Sequence, residues 1–123
     1  MSSGFIEAGL SSRASNIHRA LASVQEELEA IDYYHQRADV LDDPDLKAVM
    51  VHNRNDEMEH ATMLLEWLRR SMPEFDSQMR KFLFTSGSLI ALATGAEPPA
   101  ADGTGLGLGS LKSTIVDPKK GLS

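Results

Sequence analysis

The sequence predicts an all-α protein: an antiparallel hairpin of two long helices and a short third helix, which pairs with a second copy to form a four-helix bundle. Apolar residues recur at alternating steps of three and four along two stretches of about 25 residues, which is the period of an α-helix. A short break before Pro44 separates the stretches, so the two helices run antiparallel. With 123 residues and no cysteine, the core is marginal unless a partner chain or a metal stabilises it.

Composition limits the classes of partner. The net charge is −6, with 18 acidic and 12 basic residues, and an acidic surface repels nucleic acid. No apolar run approaches the length of a membrane span, and no secretion signal is present. The absence of cysteine excludes disulfides and thiolate metal sites and is compatible with a reducing cytoplasm. We therefore expect a cytoplasmic protein without a nucleic-acid or membrane partner.

The first helix follows a flexible arm, residues 1–10. Ser11 or Ser12 is the predicted cap, and the helical period runs over about residues 13–37. Its apolar stripe consists of Ile17, Leu21, Val24, Leu28 and Ile31. Glu27 lies on the shoulder of this stripe, in line with Ala20 and Tyr34.

The second helix is predicted from Pro44 to about Arg70, with Asp43 as its cap and an end before Pro73. One face carries a mostly apolar stripe of Leu46, Val49, Met50, Asn53, Glu57, His60, Leu64 and Trp67. Two helices cannot cover such stripes alone, so we expect a two-fold pairing of hairpins into a four-helix bundle.

A third helix is expected from Pro73 to about Phe84, and the helical domain as a whole spans residues 11–93. Residues 89–93 either extend this helix or pack against a neighbour, and we expect an inter-subunit contact there. Residues 94–123 are rich in Gly and Pro, which predicts a flexible, disordered linker and tail. Within the tail, leucines recur among glycines over Leu106–Lys112. The pattern is either chance or a short extended peptide that binds a groove on another protein.

Glu57 and His60 share the predicted buried face of the second helix. A buried carboxylate needs an ion-pair, hydrogen-bond or metal partner. The Glu-x-x-His spacing is how ferritin-like di-iron carboxylate bundles present their ligands, although a core histidine hydrogen-bonded to a glutamate has the same spacing. Glu27 from the first helix adds a third ligand, so one chain offers half of a set of four Glu and two His. Carboxylate and imidazole without sulfur suit iron or manganese and tolerate zinc.

Residues 26–34, 52–61 and 65–70 closely resemble the encapsulated ferritins, and Leu106–Lys112 resembles the tail by which cargo is loaded into encapsulin shells. The resemblance implies a ferritin-like fold and a ferroxidase that oxidises Fe(II) to Fe(III) at a di-iron site shared by two subunits. It also implies two iron ions per subunit pair and a decameric ring of dimers. Such a ring would deliver iron for storage inside an encapsulin nanocompartment in the cytoplasm.

The same resemblance assigns the iron ligands to Glu27, Glu57 and His60, with Tyr34 beside the site. It also implies weaker outer metal sites on the path to the centre. Their residues would be Glu26 and Glu29 for one site, and His52, Asp56 and Glu59 for another. Spacing independently places His52, Asp56 and Glu59 on one helix face. A solvated acidic surface accounts equally well for each of these five residues.

Two other functions fit the residues. A helical scaffold or adaptor would use the Glu and His side chains only to fix the register of its helices. A di-metal protein of other chemistry would reduce peroxide or bind zinc. Iron uptake with oxygen-dependent absorbance distinguishes the ferroxidase from the scaffold.

Overall fold

The computed structural model describes residues 5–95, and this part of the chain contains α-helices and no strand. Its helices are α1 (Ser12–Val40), α2 (Pro44–Ser71), α3 (Pro73–Phe82) and α4 (Leu89–Thr94). The predicted all-α class, with two long helices followed by short ones, is confirmed. No helix in the described range is long and apolar enough to cross a bilayer.

Side-chain caps fix the starts of both long helices. The Ser11 hydroxyl accepts a hydrogen bond from the Ala14 amide at 3.0 Å, and α1 runs for 29 residues, slightly beyond both predicted ends. Asp43 accepts from the Asp45 and Leu46 amides at 2.9 and 3.2 Å. Each cap satisfies backbone donors that have no partner inside the helix. The predicted cap and first residue of α2 are both confirmed.

The hydrophobic core lies where the first half of α1 meets the last part of α2, as an antiparallel hairpin requires. Ile17, Ala20 and Val24 pack there with Leu68, whose side chain is 0% exposed. Partly buried apolar side chains surround this cluster: Leu64, Leu65, Met72 and Phe75. The core is small, so each buried side chain carries a large share of the stability.

The buried faces of α1 and α2 do not coincide with the predicted apolar stripes but are rotated from them about the helix axes. On α1 the buried line passes through Ala20 and Ala38, whereas Leu21 and Leu28 stay 39% and 52% exposed. On α2 the buried residues are Ala61 and Leu68. The predicted α2 stripe remains largely open, because Leu46, Val49 and Trp67 are 43%, 51% and 42% exposed. Small residues let the helices approach closely, and the larger apolar side chains then lie beside the contact.

The junction between α2 and α3 is held by a charged network. Nε and Nη2 of Arg69 each donate to one oxygen of the Glu66 carboxylate at 2.8 Å, and Arg69 Nη1 donates to Asp76 of α3. Arg70 Nε is a third donor to Glu66, at 2.7 Å. These two arginines lower the pKa of Glu66 to about 2. The network fixes the start of α3 against the end of α2.

The chain divides into two compact units, Met1–Met79 and Arg80–Ser123. In the second unit α3 ends at Phe82, and Phe84 has a φ of 61°, in the left-handed region. That conformation costs an L-residue about 1 kcal/mol. A separate helix, α4, then begins with Ser88 as its cap, so the segment after Ser88 does not extend α3. Of the predicted linker and tail, residues 94–123, only Thr94 and Gly95 are described. The rest, including Leu106–Lys112, lies outside the described residues.

Leu68→Ala should destabilise the fold strongly. Removing a fully buried leucine costs about 2–5 kcal/mol, which lowers the Tm of a domain of this size by about 10 °C or more. Thermal unfolding followed by circular dichroism in the presence of a chelator measures the effect. Leu89→Ala, at a position 59% exposed, is the matched control. Equal changes in Tm for the two variants would contradict the assignment of this core.

Candidate metal centre

The hairpin brings together the three predicted ligands, Glu27, Glu57 and His60. Glu27 stands one turn after Val24 on α1, and the other two stand on α2 beside the buried Ala61. His60 Nδ1 lies 3.2 Å from Glu57 Oε1 and 3.6 Å from Glu27 Oε1. One potential ligand atom from each residue lies within 4.8 Å of the other two. Within residues 5–95, these three side chains form the group of His, Asp and Glu that could hold a metal ion.

Two carboxylates and an imidazole lie close together in this group, and each shifts the pKa of its neighbours. A hydrogen bond with Glu57, helped by desolvation, raises the pKa of Glu27, while the same hydrogen bond lowers the pKa of Glu57. The hydrogen bond to Glu57 also raises the pKa of His60. Glu27 and His60 therefore both bind a proton more readily than they would alone, because each lies beside the Glu57 carboxylate. A divalent cation could take the place of bound protons, because carboxylate and imidazole are its usual ligands.

The group is only half enclosed by its own chain. The Glu27 and Glu57 side chains are each 24% exposed, and the His60 side chain is 47% exposed. Three ligands would leave an ion of six-fold coordination incomplete, so solvent or another group would have to supply the remaining ligands. The partly exposed apolar residues Val49 and Trp67 lie on the same helix as Glu57 and His60.

Tyr34 lies on the packed side of α1, about two turns beyond Glu27. The Arg37 guanidinium stacks over the Tyr34 ring at 5.7 Å and over the Tyr33 ring at 5.8 Å. No contact joins Tyr34 to the three ligand groups in the described part of the chain. Its place beside the site stays a prediction.

The predicted outer residues do not come together as ligand groups within the described chain. His52 Nε2 pairs with Asp56 Oδ2 at 3.4 Å on the exposed side of α2, but Glu59 does not join them. Glu26 is exposed, and Glu29 accepts a hydrogen bond from the Tyr33 hydroxyl at 2.9 Å. The outer sites therefore stay predictions. Sequence reasoning missed the Tyr33 contact, although the i, i+4 spacing of the two residues could have indicated it.

Fold and side-chain geometry together define a class: a helical hairpin in which two carboxylates and an imidazole lie close enough together to bind a metal ion. The family model EncFtn-like matches residues 6–86. The chain is 46% identical over 109 residues to an encapsulated ferritin-like protein of Rhodospirillum rubrum, covering 79% of this chain and 78% of that one. The chain belongs to the EncFtn-like family, as the resemblance of residues 26–34, 52–61 and 65–70 predicted.

Two further similarities agree with this membership. A ferritin-like protein of Thermotoga maritima is 54% identical over 67 residues, which are 54% of this chain and 59% of that protein. The crystal structure of a protein from Nitrosomonas europaea superposes with a TM-score of 0.68 at 46% identity. The match covers 70% of this chain and 97% of the crystal structure's chain. The stretch matched by the family model, residues 6–86, includes both long helices of the hairpin.

Metal binding at this centre should strengthen as the pH rises from about 6 to 8. Because the pKa of His60 is raised above its ordinary value of 6.5, the ring holds its proton to a higher pH than a free imidazole does, and a metal must displace that proton. Calorimetric titration with Co²⁺ in two buffers of different ionisation enthalpy measures the protons released. His18→Gln, on α1 outside the group, is the control and should release the same number of protons as the wild type. A Co²⁺ affinity that does not change over this pH range would contradict the ligand assignment.

Proposed function

We propose that this protein is a ferroxidase, which oxidises Fe(II) to Fe(III) at a site completed by two subunits. The observation that carries the proposal is the meeting of Glu27, Glu57 and His60 within 4.8 Å across the hairpin. Iron is the substrate in this reaction. The family's ferritin-like relatives support an iron-related role.

A second copy is the natural source of the missing ligands. Ferritin-like bundles use a Glu from each of two helices and a Glu-x-x-His pair from each of two others. One chain holds half of that set, and two-fold pairing doubles it to four carboxylates and two imidazoles. Four carboxylates neutralise two divalent cations, so Glu27 would no longer need its hydrogen bond with Glu57, which is the main cause of its raised pKa. The open apolar stripe on α2 would be covered in the same step.

The residues have separate tasks in this proposal. Glu57 touches both other ligands, and Glu27, whose pKa is raised by its hydrogen bond to Glu57, gives up any proton that it holds when iron binds. His60 releases its own proton to solvent and binds iron as the neutral ring. Two Fe(II) ions then give one electron each to dioxygen, and two protons complete hydrogen peroxide. Holding two iron ions together supplies both electrons at one place.

Anaerobic titration with Fe(II) tests the stoichiometry. We expect about one iron per subunit, that is two per subunit pair, and an absorbance change only when oxygen is admitted. No stoichiometric uptake would favour the scaffold or adaptor. Uptake without reaction with oxygen, but with loss of added peroxide, would favour the di-metal protein of other chemistry.

Assembly should depend on the metal, because the ions join ligands from two chains. We propose a dimer as the minimal unit and a decameric ring of dimers as the complete assembly. On size-exclusion chromatography with light scattering, chelator treatment should shift the protein toward smaller species. An oligomer that is indifferent to chelators would contradict a metal-linked interface.

The proposed function also includes the place where oxidised iron is stored. A two-helix subunit encloses no storage cavity, so oxidised iron must accumulate elsewhere. We propose that Leu106–Lys112 binds an encapsulin shell protein and that the protein works inside that shell in the cytoplasm. Glu26, Glu29, His52, Asp56 and Glu59 are proposed to attract Fe(II) on its way to the centre. The name of the Rhodospirillum rubrum relative, an encapsulated ferritin-like protein, supports the location.

A further inference from the structure

Two tyrosines lie close to the metal centre along α1. Phenol, indole and thiol groups are the side chains that give up a single electron most readily, and the chain has two tyrosines, one tryptophan and no cysteine. Tyr33 and Tyr34 follow Glu27 by six and seven residues on this helix, which is about 9–10 Å along its axis. A one-electron oxidant that forms at the centre therefore has a tyrosine within about three turns.

Tyr33 differs from Tyr34 in the partner of its hydroxyl group. The Tyr33 hydroxyl donates a hydrogen bond to Glu29 Oε2 at 2.9 Å, one turn back on the same helix. Among the tyrosine and tryptophan side chains of residues 5–95, Tyr33 is the one that shows a hydrogen bond to a carboxylate. A phenol becomes a strong acid when it loses an electron. A carboxylate at this distance can take the proton in the same step.

Arg37 makes that proton transfer necessary. Its guanidinium carbon lies 5.8 Å from the centre of the Tyr33 ring and 5.7 Å from the centre of the Tyr34 ring. A ring that lost an electron and kept its proton would be positive beside this positive group, and the two charges would repel each other. Tyr33 avoids the repulsion by passing its proton to Glu29. Because no such acceptor is seen for Tyr34 in the described part of the chain, the contacts favour electron loss from Tyr33.

We propose that Tyr33 supplies an electron to the metal centre when a single Fe(II) ion reacts there with hydrogen peroxide, and that Glu29 accepts the proton of the phenol. The iron and the phenol each lose one electron, and the O–O bond of the peroxide breaks to give two hydroxide ions. Fe(II) becomes Fe(III), Tyr33 becomes a neutral radical and Glu29 becomes a carboxylic acid. No hydroxyl radical is released, so the ligand side chains are spared oxidation. This inference rests on the proposed function, which supplies both Fe(II) and peroxide.

Freeze-quench electron paramagnetic resonance spectroscopy tests this donor. The full-length protein is loaded without oxygen with one Fe(II) ion per subunit pair and is mixed with hydrogen peroxide, so that iron alone cannot supply the second electron. We expect a tyrosyl radical, whose spectrum narrows when the protein is made with ring-deuterated tyrosine. Loading two Fe(II) ions per pair should lower the radical yield per Fe(III) formed, because the second iron then supplies the electron.

Three variants assign the radical to a residue. Tyr33→Phe keeps the ring beside Arg37 and removes only the hydroxyl, and it should lose most of the signal. Glu29→Gln removes the proton acceptor and should lower the radical yield per Fe(III) by at least about tenfold. Tyr34→Phe is the matched control and should keep the signal.

A signal that survives Tyr33→Phe and disappears in Tyr34→Phe would overturn the proposal. Equal radical yields in the wild type and in Glu29→Gln would overturn it as well. Wild-type protein that forms Fe(III) without any radical would overturn this proposal and leave the ferroxidase proposal standing. Wild-type protein that forms no Fe(III) would contradict both.

Discussion

Glu57→Gln should lower the initial rate of Fe(II) oxidation by at least about 100-fold, since loss of a residue that only supports a metal ligand already costs about 10- to 100-fold. Glutamine keeps the size of the side chain but removes the charge that binds iron. Glu57, like His60, is in contact with both other ligand residues. In a symmetric pair one substitution removes two carboxylates. Stopped-flow absorbance after mixing with Fe(II) in air measures the rate.

The control for this substitution is Glu74→Gln, the same chemical change in the first turn of α3. It should leave the rate within about twofold of the wild type, because Glu74 takes no part in the ligand group. His60→Ala should resemble Glu57→Gln, and the double variant should be little worse than either single one. A wild-type rate in Glu57→Gln, in a protein that still folds, would remove the site assignment.

Local sequence chemistry predicted the helices well because their ends depend on few residues. Asp43 followed by Pro44 sets the start of α2 through two backbone hydrogen bonds, and Ser11 does the same for α1. The end of α3 was harder to place. It stops at Phe82, before the expected Phe84, because Phe84 takes a left-handed conformation that the sequence gives no reason to expect of phenylalanine.

Periodicity could not show which face of each helix meets the other. It locates the apolar stripe, but the hairpin packs on small residues such as Ala20 and Ala61 and leaves Leu28 and Trp67 partly exposed. A stripe shows where apolar contacts will form, and it does not distinguish contacts within a chain from contacts between chains. The rotation brings Glu27, which pattern placed only on the shoulder of a stripe, directly opposite Glu57.

The ligand group was predictable because a helix fixes the spacing of Glu57 and His60, and the short turn fixes the pairing of the helices. The contacts of the outer residues were harder to predict, because these side chains lie on the surface of the helices. Glu29 pairs with Tyr33, and His52 pairs with Asp56. Sequence spacing indicates that such residues share a face, but it does not show which atoms they will contact.

Deletion of Leu106–Lys112 should abolish capture by the shell and leave iron oxidation intact. A short linear peptide carries recognition without help from the folded domain. Loss of every copy from an oligomer also removes the gain from multivalent binding. Co-expression with an encapsulin shell protein, followed by purification of the shell and quantification of bound cargo, should show a fall of at least about tenfold. Deletion of seven residues beyond the segment, 113–119, is the control of equal length.

A triple substitution tests whether the leucine side chains of the segment are what binds the shell. If Leu106, Leu108 and Leu111 bind the shell, then replacing all three by serine should match the deletion, because glycine and serine backbone alone offers no apolar contact. Capture that survives the deletion would show that the shell recognises the helical surface, where the open α2 stripe with Val49 and Trp67 offers the apolar contact.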